Sequence, residues 1–318
     1  MVTCGRCQSR TFIPGDLAPF ATVPCSKCEH PVMLPVMLRN FELRTIIASG
    51  GMGTVYTAQD VKLERRVALK MMKKEVAADP TSLNAFYREA RAGASLNHTN
   101  IIHIYSFDEF EGQPYLVMEL ADQGSLDSRI EQEGRVAELD VLDVGIKICS
   151  ALTTALQHKL LHRDIKPGNI LYNIDGEPKL IDFGLVRAAE DDTWEEQIWG
   201  TVYYVAPEKL ERKGEDFHSD MYSLGATLYH ALTGHVPFEG TVDEVVAAHV
   251  HTALTPPNQV APDISELTSD ALACALAKQP SQRFETYDDF RMAMEAARSQ
   301  LLVGQVRQAD PAKSWWRR

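Results

Sequence analysis

The stretch "ASGGMGTVYTAQD", residues 48–60, poses the question on which the fold turns. Glycines at 50, 51 and 53 can bring backbone close to a phosphate, but three unrelated nucleotide-binding architectures use such a cluster. A dinucleotide fold needs a helix after the glycine loop, with the helix N-terminus under the pyrophosphate. A P-loop needs Gly-Lys-Ser/Thr opening a helix. Here Gly53 is followed by "TVYTA", β-branched and aromatic residues that favour a strand. Strand, loop, strand excludes both alternatives and leaves a flap lying over nucleotide phosphates.

Working outward, "FELRTIIA" precedes the loop as a strand, and "RRVALKMM" follows "TVYTA" as another. A helix is expected from Pro80 to Leu96, with Asp79 as N-cap and Pro80 at the first helical position. Leu83, Phe86, Ala90 and Ala94 form its apolar stripe, and Glu89 sits beside that stripe, facing the same way. Two further strands, "IIHIYSFDEF" and "PYLVMEL", flank a turn at Glu111 and Gly112. Beyond Gly124 the pattern is mostly helical, interrupted by one hairpin turning at Asp175 and Gly176 between "ILYN" and "PKLI". Pairing symmetric about that turn places Asn169 opposite Asp182. The order is a small strand-rich lobe and then a larger helical one, with no internal repeat expected.

The 318 residues are 45% hydrophobic, enough for about two domains with a sizeable core. Net charge is −12, with no long basic run, which argues against a chain built to grip nucleic acid. Apolar runs are too short and interrupted to span a bilayer. The opening "MVTCGRCQSR" lacks an apolar h-region, so no secretory signal is expected and a reducing, cytoplasmic setting is the default.

That setting bears on the cysteines. Cys4 and Cys7, then Cys25 and Cys28, give two C-x2-C pairs separated by 17 residues. Each pair can aim two thiolates from a tight turn at one point, and two turns complete a tetrahedron suited to Zn²⁺. So short a segment cannot bury enough surface to fold unaided. With four cysteine ligands the site is closed and structural. It resembles short zinc ribbons at the N-termini of some bacterial regulatory proteins, and a docking partner at the ribbon is a further expectation. Cys149 and Cys274 read as core residues.

The remaining motifs fall in order: "VALK" with Lys70, Glu89 on the helix, "HRDIKPGN" with His162, Arg163, Asp164, Lys166 and Asn169, "DFG" from Asp182 to Gly184, and "APE" from Ala206 to Glu208. From Phe41 to about Ala297 the chain resembles the protein kinase superfamily, and "GGMG" with "HRDIKPGN" most resembles the bacterial Ser/Thr kinases of eukaryotic type. The resemblance implies an α+β bilobal protein kinase fold with a β-rich N-lobe and helical C-lobe. The expected layout is a zinc ribbon over 1–34, a linker over 35–40, the kinase domain over 41–297 and a tail over 298–318. Implied ligands are ATP and Mg²⁺ (or Mn²⁺), beside structural Zn²⁺, and implied partners are proteins with Ser/Thr acceptors.

By the same resemblance, Ser49, Gly50, Gly51, Met52 and Gly53 cover the phosphates. Lys70, oriented by Glu89, holds the α- and β-phosphates, while Asn169 and Asp182 carry the magnesium. Asp164 accepts the substrate hydroxyl's proton and Lys166 steadies the γ-phosphate. Val55 and Ala68 pack on the adenine, Met118 is the gatekeeper, and Glu119 and Ala121 lie at the hinge. Asp220 would brace the catalytic loop, and Glu208 would pair with Arg283. Arg163 and Arg187 would form a basic pocket served by Thr193 or by the acids Glu190, Asp191, Asp192, Glu195 and Glu196. Ala48 replaces the family's first loop glycine and Val202 a usual proline. The competing reading is a nucleotide-binding pseudokinase scaffold. A nucleic-acid-reading ribbon has only Arg6, Arg10 and Lys27 near the cysteines. The tail "VRQADPAKSWWRR" resembles a membrane-interface edge, against the plainer reading of a disordered end.

Overall fold

The computed structural model describes residues 1–14, 18, 20–183 and 202–309, the last three by backbone alone. The chain divides into two compact units, Met1–Asn97 with Ile102–Ala121, and His98–Ile101 with Asp122–Arg318. Gly184, Arg187, Thr193 and the neighbouring acids lie outside the described residues, as do the tail tryptophans.

The first unit opens with two small antiparallel pairs, β1 (Val2–Thr3) with β2 (Arg10–Thr11) and β3 (Val23–Pro24) with β4 (Pro31–Val32). Each closes a C-x2-C turn in the same way. The Gln8 N–H donates to Cys4 O at 3.0 Å and the Cys4 N–H to Ser9 O at 2.9 Å; Glu29 to Cys25 O and Cys25 to His30 O do the same at 2.9 Å. Gln8 and Glu29 both sit at φ 59°. The second turn therefore repeats the first, Cys25 and Cys28 standing for Cys4 and Cys7. No internal repeat was legible in the sequence because beyond the cysteines only Val2 and Val23 are identical across the two strand-and-turn copies, the turns constraining thiolate placement and little else.

β5 (Val36–Leu38) falls within the stretch read as a linker and is instead an edge strand, antiparallel to β6 (Phe41–Ser49). β7 (Gly53–Asp60) and β8 (Arg65–Met72) follow, then helices α1 (Lys74–Ala77) and α2 (Pro80–Ser95), then β9 (Ile104–Phe110) and β10 (Gln113–Met118). The six-stranded sheet runs β5-β6-β7-β8-β10-β9, every neighbouring pair antiparallel. Its buried face carries Leu38, Leu43, Val67, Leu69, Tyr115 and Val117. The β9–β10 turn has positive φ at Glu111 (51°) and Gly112 (78°), the pairing a twisted two-residue hairpin demands. Asp79 accepts from the Ser82 N–H at 2.8 Å and caps α2 as the sequence implied. The helix buries Phe86, Glu89, Ala90 and Gly93. Ala94, expected in the stripe, is exposed, because a 3.6-residue period brings 93 rather than 94 under 86 and 90. Gly93 suits that place: a Cβ there would come 2.5 Å from Ile104 Cδ1.

The second unit is helical. It contains α3 (Leu126–Glu133), α4 (Glu138–Gln157), the strands β11 (Ile170–Tyr172) and β12 (Pro178–Leu180), then α5 (Pro207–Leu210) and α6 (Phe217–Thr233). α7 (Val242–His251), α8 (Pro257–Val260), α9 (Glu266–Ala275) and α10 (Tyr287–Ala309) complete it. α6 lies at its centre, with Met221, Tyr222, Leu224, Ala226 and Leu228 all buried. α10 runs through Ala297 without a break and buries Phe290, Met294 and Ala297.

The β11–β12 hairpin differs from expectation by one residue. Ile170 pairs with Leu180 and Tyr172 with Pro178, so Asn169 faces Ile181 rather than Asp182. The cause is turn chemistry. Gly176 donates to Asn173 O at 2.9 Å with φ 75°, and the Asn173 side chain accepts from the Asp175 and Glu177 N–H groups at 3.1 and 2.9 Å. This is a three-residue loop closed by a left-handed glycine, not a two-residue turn.

Candidate active site

In the first unit, β8 carries Lys70 between Val55 on β7 and Leu116 on β10. Lys70 Nζ donates to Glu89 Oε1 at 2.7 Å, with side chains only 16% and 9% exposed. α2 is held in place to make this pair by Phe86 and Ala90, which pack with Met72 and Leu116. Ala68 lies opposite both Met118 and Thr57. Beyond β10, the Glu119 N–H donates to His103 O at 2.8 Å, and Ala121 is buried. The glycine loop is closed by Gly50 N–H donating to Gly53 O at 2.9 Å, and Met52 O accepts from the Lys73 N–H at 3.0 Å. Ser49 and Thr54 hydroxyls meet at 3.1 Å across its base. Gly50 and Gly51 have open space around them, whereas a Cβ on Gly53 would lie 2.3 Å from Met71 O. Gly53 is thus fixed by packing, and Gly50 and Gly51 keep surface for a ligand to approach.

In the second unit, Asp164 collects its neighbours from the same loop. Lys166 Nζ lies 2.9 Å from its Oδ2, and Asn169 Nδ2 donates to its Oδ2 at 3.0 Å and its backbone carbonyl at 2.7 Å. Both amide protons of Asn169 are thereby directed to Asp164, so that Oδ1 is the atom that could hold a cation. The Ile181 N–H donates to Asn169 O at 3.1 Å, which brings the next residue, Asp182, beside it. Asp182 adopts φ 60°, a left-handed backbone that Asp tolerates better than most residues. His162 accepts from the Asp164 N–H through Nδ1 at 3.3 Å, so Nε2 carries the proton and donates to Ile181 O at 2.8 Å. Its ring meets Phe183 edge-on, with centroids 4.8 Å apart.

Two buried ionic groups lie on α6 and α5, and the first supports this loop. Asp220 of α6 accepts from the backbone N–H groups of His162 and Arg163, both at 2.7 Å. Burial pushes its carboxyl up, against those two donors. Arg163, at φ 69°, is thereby held in a conformation costly for a residue with a side chain. Glu208 accepts from both Arg283 Nη atoms at 2.8 Å and from the Ser219 hydroxyl at 2.7 Å. Burial pushes Glu208 up, but the Arg283 guanidinium outweighs it and holds the carboxyl below its ordinary range.

The four N-terminal thiols converge, with all Sγ atoms within 4.8 Å of one another. Cys4 and Cys28 stand 3.7 Å apart and Cys7 and Cys25 3.6 Å apart, close to the edge of about 3.8 Å that four thiolates form around zinc at about 2.3 Å. No disulfide joins them. The Ser9 hydroxyl, 3.2 Å from Cys25 Sγ, is the main cause holding Cys25 down at about 5. Cys28 goes to about 12 despite a His30 backbone hydrogen bond, pushed by burial and by the other three thiols. Among the described residues this is the one group of three or more His, Cys, Asp or Glu placed to share an ion.

Residues 41–298 match the sequence model of the protein kinase domain. The chain belongs to the protein kinase family. Among curated relatives, the serine/threonine-protein kinase PknE of Mycobacterium tuberculosis is 35% identical over 259 residues, covering 81% of this chain and 46% of that protein. PknB of Mycobacterium leprae is 36% identical over 265 residues, covering 81% and 43%. The chain therefore spans less than half the length of these relatives. Among solved structures, the crystal structure of the Mycobacterium tuberculosis PknI kinase domain superposes with a TM-score of 0.63 at 26% identity, covering 83% of this chain and 97% of that one.

The motif residues gather into local groups: Lys70 with Glu89 in the first unit, and Asp164, Lys166, Asn169 and Asp182 in the second. Sequence reasoning missed Lys209, whose Nζ donates to Arg163 O at 2.9 Å, and Glu215, which lies 3.5 Å from both Arg163 Nε and Lys209 Nζ. It also missed Ser219. Nothing in the local pattern marks these residues, because their partners stand far away in sequence. No helix among the described residues is long and apolar enough to cross a membrane.

Proposed function

We propose that this chain is an ATP-dependent protein kinase that transfers the γ-phosphoryl group to serine and threonine hydroxyls of proteins, itself included. The observation carrying this reading is the environment of Asp164. A carboxylate flanked by Lys166 at 2.9 Å and fixed by Asn169 at 3.0 Å is placed to orient a hydroxyl and take its proton. As the hydroxyl oxygen bonds to the γ-phosphorus, the bond to the β–γ bridging oxygen breaks, ADP leaves, and the proton passes to Asp164. Lys70, aimed by Glu89, is the cation for the α- and β-phosphates, and Lys166 the cation for the γ-phosphate. Ser49, Gly50, Gly51, Met52 and Gly53 offer backbone over the phosphates, and Val55, Ala68, Met118, Glu119 and Ala121 the adenine contacts. Asn169 Oδ1 and Asp182 are hard oxygen donors that suit Mg²⁺ or Mn²⁺, which supplies neutralisation of the transferring phosphate's charge. The formed Lys70–Glu89 pair argues against a silent scaffold.

For the four cysteines the reading is a structural Zn²⁺ site, supported by sulfur separations matching a tetrahedral edge and by a donor set with no open position. The test of the catalytic reading is Asp164→Asn, which keeps shape and removes the accepting charge. Radiolabelled phosphoryl transfer, to itself and to a generic protein substrate, should fall by roughly a hundredfold or more while nucleotide binding persists. Near-normal turnover in Asp164→Asn refutes the assignment.

A further inference from the structure

The cysteine turns are fastened to the strand that carries the glycine loop. The His30 ring donates through Nε2 to the carbonyl of Ile46 on β6, at 3.0 Å. Gly5, inside the first C-x2-C turn, lies so close to β6 that a Cβ there would stand 3.2 Å from Thr45 Cβ. Thr45 in turn shares a 2.6 Å hydrogen bond with the Thr57 hydroxyl on β7. Phe20, between the two turns, sets its ring edge on Tyr56 of β7, centroids 6.3 Å apart. Met33, just past the second turn, is 1% exposed and belongs to the core of the sheet.

These contacts fall where β6 is irregular. Its pairing with β7 shifts register between Leu43 and Thr45 and again between Ile46 and Ala48. Bulges bend and twist a strand and unsettle its ladder, and here the Ile46 carbonyl is claimed by His30. Three residues further on, β6 ends at Ser49 and the glycine loop begins. The cysteine turns themselves have little to hold them: their own core is Cys4, Ile13, Cys25 and Val32. A segment of that size depends on its ion for shape.

We infer that the cysteine site is a clamp on the β6–β7 hairpin, so that metal occupancy sets the position of the glycine loop and thereby the affinity for nucleotide. This rests on the zinc and kinase readings above and adds to them a regulatory role for the ribbon within its own chain. With the ion gone, both turns relax, Gly5 and His30 leave β6, and the bulged strand loses the partners that fix its bend.

The test uses the full chain as wild type, chelator-stripped wild type, His30→Phe and Gly5→Val. The two variants touch the contact with β6 and leave all four cysteines in place. Zinc content, hydrogen exchange over 41–57 and the dissociation constant for a fluorescent non-hydrolysable ATP analogue are measured on each, with exchange in α6 as the control for folding. Both variants and the stripped protein should exchange roughly fivefold faster over 41–57 and bind the analogue about fivefold more weakly, the scale of the one His30–Ile46 hydrogen bond. Zinc weakened in Gly5→Val together with faster exchange also supports the coupling, since linkage is reciprocal. A wild type purified without zinc overturns the metal reading and the clamp's gating together. Full zinc in wild type and both variants, with exchange and affinity unchanged in the variants and after stripping, overturns the gating alone. Normal analogue binding without any phosphoryl transfer counts against the kinase reading only.

Discussion

Glu208→Gln is the substitution whose cost is best worked from the structure. Arg283 is fully buried and each of its five N–H groups is used. Nε donates to Ala277 O at 2.8 Å, Nη1 to Glu208 Oε1 and His218 O at 2.8 Å, and Nη2 to Glu208 Oε2 at 2.8 Å and Lys278 O at 3.2 Å. The guanidinium also lies 4.9 Å from the Tyr222 ring centroid. Glutamine keeps one acceptor, turns an N–H₂ toward a donor and strands a positive charge out of water. Breaking one side of such a pair costs about 3–5 kcal/mol. At about 2–4 °C per kcal/mol for a unit of this size, the melting midpoint should fall by roughly 10 °C. Differential scanning calorimetry of the full chain reads this directly, and Ser219→Ala, which removes one donor to Glu208, should cost about 1 kcal/mol. The pH dependence has a definite sign. The folded Glu208 carboxyl lies below its ordinary 4.5, so its contribution is complete above that value and is lost as pH falls through the folded value. The gap between wild type and Glu208→Gln should therefore narrow in acid. A midpoint within a degree of wild type at neutral pH would refute the reasoning.

Two further outcomes follow from close contacts. Gly53→Ala places a Cβ 2.3 Å from Met71 O, so β7 must part from β8 at that point. Overpacking of this kind costs about 1–3 kcal/mol, and nucleotide affinity should weaken in a titration with the ATP analogue, whereas Gly51→Ala should change stability little. Asp220→Asn can accept only one of the two N–H groups at His162 and Arg163, leaving the other buried without a partner at about 1–3 kcal/mol. Phosphoryl transfer should fall with analogue binding intact, and an unchanged transfer rate would show that Asp220 does not hold the loop.

What was legible in the sequence was whatever local chemistry dictates. The strand after Gly53, the Asp79 cap, and the turn at Glu111 and Gly112 each follow from a few neighbouring residues and a known period, whereas the pairing of Lys70 with Glu89 is implied by the family resemblance. The failures share a cause as well. The β11–β12 register slipped by one because Asn173 builds a loop one residue longer than the Asp-Gly pair suggested. Residues 35–40 read as a linker because they continue the proline-containing stretch "HPVMLPVML", yet Leu38 buries completely once β6 stands beside it. His30, Lys209 and Glu215 carry no local signature at all, since each acts on a partner supplied by another element. Period and cap are properties of a segment, while register and bracing belong to the assembled unit.

The bracing around Arg163 explains why so many long-range contacts converge on one short loop. A side-chain-bearing residue at φ 69° is held against a cost of about 1–3 kcal/mol, and no single hydrogen bond secures that. Asp220 takes the N–H groups of His162 and Arg163, Lys209 donates to the Arg163 carbonyl, and Glu215 sits between the two cations that would otherwise repel. Two side chains from the α5–α6 region thus fix the peptide groups on either side of Arg163, a third steadies the Arg163 side chain, and the next residue is Asp164. The Asp164 carboxylate, the proposed proton acceptor, inherits its position from the braced backbone before it. Strain at residue 163 and order at residue 164 are one device, because releasing the first turn would let the second rotate away from Lys166 and Asn169.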